Sequence, residues 1–187
     1  MKPFAVFALA VILASVALAQ HQTFTVNPDA SEVKITLNTT HEVVHGAFHI
    51  QSGSIEFDRS APKMSGSVVV LAGTGKTGNG SRDKRMNKEI LKVEQHTTVS
   101  FEPKSYSGVI APSGDSTIQV TGIFTLLDTP HEITIPMLVH MEGAIATAKA
   151  HFSVPYIQWG LKDPSLLFWR ADKDVAIDLL LSGQLSK

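Results

Sequence analysis

The stretch Leu71 to Leu91, LAGTGKTGNGSRDKRMNKEIL, begins with residue types that bind phosphate and ends with those of a helix. A phosphate loop of the Walker type needs a glycine about five places before Gly-Lys-Thr, so that backbone N–H groups wrap the phosphates, and a helix that starts at the lysine. Here Val70 stands at that place before Gly75-Lys76-Thr77, and Gly78 and Gly80 would break the required helix at once. The segment reads instead as a glycine-rich linker entering a helix over roughly Ser81 to Lys92. Arg82, Met86 and Ile90 share one face of it, and Asp83 falls in the first turn, where the helix dipole favours a negative charge.

The eight histidines raise metal chemistry. His41, His45 and His49 share one strand face, yet neighbours in that series are separated by about 13 Å, whereas ligand nitrogens sit about 2 Å from a zinc ion. A site would need partners from other strands, such as His131, His140 or His151, and no HExxH pattern occurs. Histidines at the surface or at a cavity rim are the simpler expectation. Serine, histidine and aspartate are plentiful, but no GxSxG elbow marks a nucleophile and no carboxylate pair stands out, so a non-enzyme without cofactor is expected.

The elements that would position these residues are strands. Apolar residues recur with period two at Val33, Ile35 and Leu37; Val44, Phe48 and Ile50; Ile118, Val120, Phe124 and Leu126; Ile133 to Met141; Ala146 to Phe152; and Val175 to Leu181. Turn-forming groups punctuate them at Asn27-Pro28-Asp29, Gln51-Ser52-Gly53, Ala111 to Asp115, Asp128-Thr129-Pro130 and Glu142-Gly143. Short links imply antiparallel neighbours, in a sandwich or a closed barrel. Long strands favour the barrel. So does an inward set that includes Gly46, Gly122 and the alanines 146, 148 and 150, too small to fill a lumen. A solidly packed barrel is the alternative. A single helix among strands would bury its stripe across the barrel end, as a lid over a cavity or as a plug completing the core.

The chain starts with Lys2, an apolar run from Phe4, and small residues around Ala17-Leu18-Ala19. These features describe a signal peptide over residues 1–19, with residues 20–187 forming one exported, periplasmic or secreted domain; an uncleaved anchor is disfavoured because the run falls short of the ~20 residues a span needs. Removing Lys2 leaves 15 basic residues against 17 acidic, no footing for nucleic acid. With no cysteine, neither disulfides nor thiolate metal sites hold the fold.

HEVVHGAFHIQSGSIEFD, GNGSRDKRMNKEIL, TTVSFEP, VTGIFTLLDTPHEITIPM and FSVPYIQWGLKDPS, taken in order, resemble the YceI-like family from about Thr23 to Leu185, with Arg82-Asp83 and the VPYIQWGLKDPS segment the more specific pieces. The chain differs from the common pattern at Asn87, Thr97 and Leu127-Asp128. The resemblance implies an all-β fold, an extended antiparallel eight-stranded lipocalin-like barrel with one short helix near its mouth and a long apolar cavity. It implies a carrier of an isoprenoid quinone, polyprenyl phosphate or fatty-acid amide, and it carries a secondary polar cluster of His41, His45 and His131. On that footing Arg82 is expected to meet a polar headgroup, and Met86, Ile90, Phe101, Phe124, Phe152 and Trp159 the apolar chain. Tyr156 and Trp159 would either line the mouth or cap the barrel. The expected partners are an apolar lipid and, for loading, a transient membrane contact. The oligomeric state is left open, a homodimer included.

Overall fold

The computed structural model describes residues 21–186; the expected signal peptide lies outside the described residues. Ten strand segments run in order: β1 (His21–Val26), β2 (Glu32–Asn38), β3 (Val43–Phe48), β4 (Ile50–Asp58), β5 (Ala61–Leu71), β6 (Thr98–Gly108), β7 (Gly114–Leu126), β8 (Thr129–Glu142), β9 (Ile145–Val154) and β10 (Val175–Ser186). They make eight barrel staves. β1 and β2 lie end to end against β10, while β4 pairs with β1 and β3 with β2, so each of the first two staves is one interrupted strand. From there each strand pairs antiparallel with the next through β10, and the ring closes where β10 meets β1 and β2. Among the described residues only β3 has a single strand partner, and its other side is bridged by the linker, where Ala47 and Lys76 exchange two backbone hydrogen bonds of 2.9 and 3.0 Å.

Asn27-Pro28-Asp29 turns the chain as expected, between β1 and β2: Pro28–Ala30 forms one short helical turn within the stave, capped by the Asn27 side chain and stitched to β10 by Ser31 Oγ, which accepts from the Ser182 amide at 2.9 Å. Gln51-Ser52-Gly53, by contrast, is not a turn, because β4 runs through it and absorbs the extra residue as a bulge between Ile50 and Ser52. The β7–β8 turn lies at Leu127-Asp128 rather than Asp128 to Pro130. Both residues are left-handed, with φ 50° and 57°, as a two-residue type I′ hairpin requires, and no glycine is used.

The parity sets point inward as read. Along β7 the buried residues are Ser116, Ile118, Val120, Gly122, Phe124 and Leu126, and along β8 they include Ile135, Val139 and Met141. The glycines of the inward set, however, are not gaps in the lumen. A Cβ at Gly122 would lie 2.8 Å from the Phe101 ring and 2.4 Å from the Glu102 carbonyl oxygen, and one at Gly46 would lie 3.0 Å from Ile35. Their neighbours occupy that space. The unfilled width comes from Ala146 and Ala148, which line the cavity, while Ala150 does not reach it.

The helical segment falls where expected, over residues 80–90, but it is less regular than a single α-helix. Gly80–Arg85 is α-helical (α1), and Met86–Ile90 widens into a π-turn, with the Leu91 amide donating to the Met86 carbonyl at 2.8 Å. Asn79 caps α1 by accepting from the Ser81 and Arg82 amides, and Lys92, left-handed at φ 48°, ends the element. Asp83 does more than face the dipole. Its buried carboxylate accepts from the Thr77 amide at 2.8 Å and the Thr77 hydroxyl at 2.7 Å, tying α1 to the incoming linker.

Two outcomes follow from this frame. Gly183 stands at the closing seam, where an added Cβ would be 2.1 Å from the Thr25 carbonyl oxygen. Gly183→Val should therefore lower stability by about 3 kcal/mol or more in urea unfolding, since the seam cannot shift without breaking its ladder. The Thr77 hydrogen bonds, aided by Lys76 and Arg82, hold the Asp83 carboxyl below the usual carboxylate range, burial opposing them. That stabilisation is complete above the unfolded value near 4 and is lost as pH falls through the lower folded value. Asp83→Asn should cost about 1–2 kcal/mol at neutral pH and flatten the decline of Tm on acidification relative to the parent chain.

Candidate functional site

Inward side chains form two clusters stacked along the barrel axis. The lower includes Phe57, Tyr106, Ile110 and Met141, where the Tyr106 hydroxyl donates to the Asp58 carbonyl at 2.8 Å. The upper joins Ile90 and Leu91 of the helical segment to Phe124, Leu126, Val154, Tyr156 and Leu161. A cavity of about 590 Å³ runs past both, with a lining that is almost entirely apolar. Its volume falls within the ~300–1,000 Å³ of ordinary ligand pockets. The solidly packed alternative is therefore not the structure.

Most polar lining residues gather at one end. Glu42, Thr77, Asn79, Ser81, Arg82 and Arg85 border the cavity there, together with Pro164, Leu166 and Trp169. The helical segment accordingly has two roles. Ile90 and Leu91 plug part of the barrel end, while Arg82 and Arg85 edge the opening beside it.

Seven of the eight residues singled out from sequence line this cavity: Arg82, Met86, Ile90, Phe101, Phe124, Phe152 and Tyr156. Phe124 and Phe152 meet edge to face, with ring centroids 6.4 Å apart. Trp159 is not a lining residue. It caps the barrel end, 5.6 Å from Phe124 on one side and stacked on the His131 ring at 4.1 Å on the other. The fork of Arg82 is engaged by its surroundings: one terminal nitrogen meets Glu42 at 2.7 Å, Nε donates to the Thr77 hydroxyl at 2.9 Å, and the other terminal nitrogen donates to the Thr77 carbonyl at 3.1 Å. Two of the five N–H groups of a guanidinium remain for a headgroup. Tyr156 is fixed by donating to the Asp172 carbonyl at 2.8 Å, and burial, with Asp163, Asp172 and Asp174 nearby, pushes its hydroxyl up to about 12. It is a neutral donor at any physiological pH.

The histidine cluster does not assemble. His45 faces outward against Thr36, His41 is exposed ahead of β3, and His131 lies on the inward side of β8 against Trp159. A barrel wall separates them, and among the described residues no three histidine, aspartate or glutamate side chains converge as metal ligands. His96, His140 and His151 instead pair singly with Asp128, Asp115 and Asp178 at 2.6–2.7 Å.

Sequence reasoning missed several lining residues. Leu166 and Trp169 belong to a non-alternating apolar run, SLLFWR, that carries no strand or helix period, so nothing in the pattern assigned them a face. Phe48, Met137, Leu179 and Leu185 could have been found, because each shares the parity of an inward set.

The model of the YceI-like domain matches residues 24–182. Among curated relatives, a UPF0312 protein of Pseudomonas syringae pv. tomato is 27% identical over 143 residues, covering 74% of this chain and 70% of its own. Among solved structures, BcnA of Burkholderia cenocepacia superposes with a TM-score of 0.68 at 16% identity, covering 87% of this chain and 99% of its own. A polyisoprenoid-binding domain of Saccharophagus degradans, implicated in plant cell wall breakdown, gives 0.66 at 12% identity over 90% of this chain and 99% of its own. These likenesses match the barrel built above from parity and pairing, and the family match spans nearly all of it: the chain belongs to the YceI-like family.

Proposed function

We propose that this protein is an exported carrier that holds one long apolar lipid, an isoprenoid or a similar hydrocarbon chain, inside its barrel. The observation that carries the reading is the apolar cavity of about 590 Å³ lying along the barrel and edged by polar side chains at one end. Such a site separates two tasks. The shaft removes hydrocarbon from water at roughly 0.8 kcal/mol per methylene, so a dozen carbons supply a gross driving force of about 10 kcal/mol before ordering costs. The rim meets whatever polar group ends the chain, through the free N–H groups of Arg82 and the neighbouring Asn79, Ser81 and Arg85 that border the opening. One structural neighbour is a polyisoprenoid-binding domain, which agrees with this division. No step of chemistry is assigned: the site binds and shields. Because the cargo is insoluble in water, loading and release take place at a bilayer of the exported compartment.

Binding of cis-parinaric acid or a fluorescent polyprenyl analogue, followed by emission in detergent-free buffer, tests this directly. Phe124→Asp should abolish uptake by placing a charge in the shaft, although the same charge also threatens folding. Ala148→Trp introduces no charge, and its ring enters the open cavity that Ala148 lines. It should keep the parent Tm and weaken uptake at least about tenfold, equivalent to ~1.4 kcal/mol. Unchanged uptake in a folded Ala148→Trp protein would contradict a ligand in the shaft.

A further inference from the structure

The loop between β9 and β10 carries a feature that the cavity does not use. Leu166 and Trp169 exchange two backbone hydrogen bonds of 2.8 Å, which makes Leu166–Trp169 a miniature hairpin with Leu167 and Phe168 alone at its tip. Both tip residues stand almost fully in water, Leu167 93% and Phe168 87% exposed. The first tip position takes φ +46°, the left-handed region where glycine, asparagine or aspartate is the usual choice. Here that position holds a leucine, followed by a phenylalanine. The tip is not loose. Thr40 donates its amide to the Arg170 carbonyl at 2.9 Å and its hydroxyl to the Phe168 carbonyl at 3.3 Å, and the Asp172 amide donates to the Asn38 carbonyl at 2.9 Å, so the β2–β3 turn clamps the base.

Its position gives the tip a meaning. The hairpin's own base residues, Leu166 and Trp169, line the cavity at the polar rim, so the exposed apolar surface is continuous with the cavity's lining. The helical segment is joined to the same rim by Lys162, whose ammonium donates to Glu89 at 2.7 Å. Around it most acids are engaged, Glu89 by Lys162 and Arg85, Glu42 by Arg82, Asp83 by Thr77, Asp163 by the Ser165 amide and Asp172 by the Asn38 side-chain amide at 3.2 Å, while Asp174 stands exposed next to Lys173. Lys84, Lys88 and Arg170 are exposed and, among the described residues, have no carboxylate within ion-pair distance. A hairpin-held pair of large apolar side chains, with Arg170 next to it, Lys84 and Lys88 on the helical segment that borders the same rim, and a hydrocarbon shaft behind, has the chemistry of a surface that seats on anionic lipid.

We infer that Leu167 and Phe168 insert into the outer part of an anionic bilayer and set the cavity mouth against it, so that cargo moves between membrane and shaft without crossing water. This rests on the carrier reading and adds to it the element that contacts the membrane. Neither tip residue lines the cavity, so removing them separates docking from holding.

The test is flotation of the full protein, purified as its host processes it, with vesicles of phosphatidylethanolamine and phosphatidylglycerol at three to one (about one quarter anionic lipid), compared with Leu167→Ser/Phe168→Ser. Uptake of cis-parinaric acid is measured separately without vesicles. The parent should float, more strongly at low salt, and the double variant should lose about tenfold in partitioning for each side chain removed while taking up the probe unchanged. Equal flotation of parent and variant, or none by the parent, overturns the docking inference and leaves the carrier reading standing. A parent that floats but takes up no probe sinks the carrier reading instead, and the inference with it. Sedimentation velocity without lipid adds a third arm: a parent dimer that the double variant dissolves would show that the tip meets a second copy, and would overturn membrane docking.

Discussion

Closure of the sheet around an interior wider than its own side chains is the constraint on which the rest depends. Eight tilted staves fix the circumference, and inward residues of ordinary size then leave room along the axis. Where one stretch of wall carries alanine, at positions 146 and 148, the space becomes a continuous cavity. The seam that makes this possible is narrow: Gly183 lets β10 approach β1 closely enough for the Thr25 carbonyl to sit where a side chain would otherwise project. A bulkier residue would open the ring, and an open sheet of this size would collapse its two faces and lose the shaft.

The ends of the barrel are treated differently, and function follows from the difference. At one end Tyr106, Asp58 and Met141 close the shaft with side chains and a buried hydrogen bond to backbone. At the other, the helical segment covers part of the opening and leaves part free. Its irregular winding serves that division. The π-turn over Met86–Ile90 brings both Ile90 and Leu91 into the core, while the α-helical first turn, fastened by Asp83 to Thr77, holds Arg82 and Arg85 at the rim. Gly75 lets the lid pack close beneath it, since a Cβ there would lie 2.4 Å from the Met86 methyl and 2.6 Å from the Phe48 ring and would push both aside. The glycine-rich linker that imitates a phosphate loop is thus a packing device for the lid.

The barrel was legible because period-two patterning is a direct record of which side of a wall each residue faces, and β7 and β8 keep every buried residue on one parity. What escaped lay where that record stops. The bulge in β4 was misread as a turn because glutamine, serine and glycine serve bulges as readily as hairpins. Gly46 and Gly122 looked like missing volume, but a sequence does not show that a cross-strand neighbour has moved into the space. Trp159 was placed in the shaft on chemistry alone, whereas the loop turns it onto His131. The 166–169 hairpin had no period at all; only coordinates show two apolar side chains held outward at the rim.

A carrier of this design must hold hydrocarbon in its shaft while it works. Native mass spectrometry of protein isolated from its host without detergent addresses this most directly. The expected spectrum contains a population heavier than the bare chain by the mass of one long-chain lipid, which gas-phase activation releases as a single apolar species. Bare chain alone, before and after incubation with the host's total lipid extract, would contradict it.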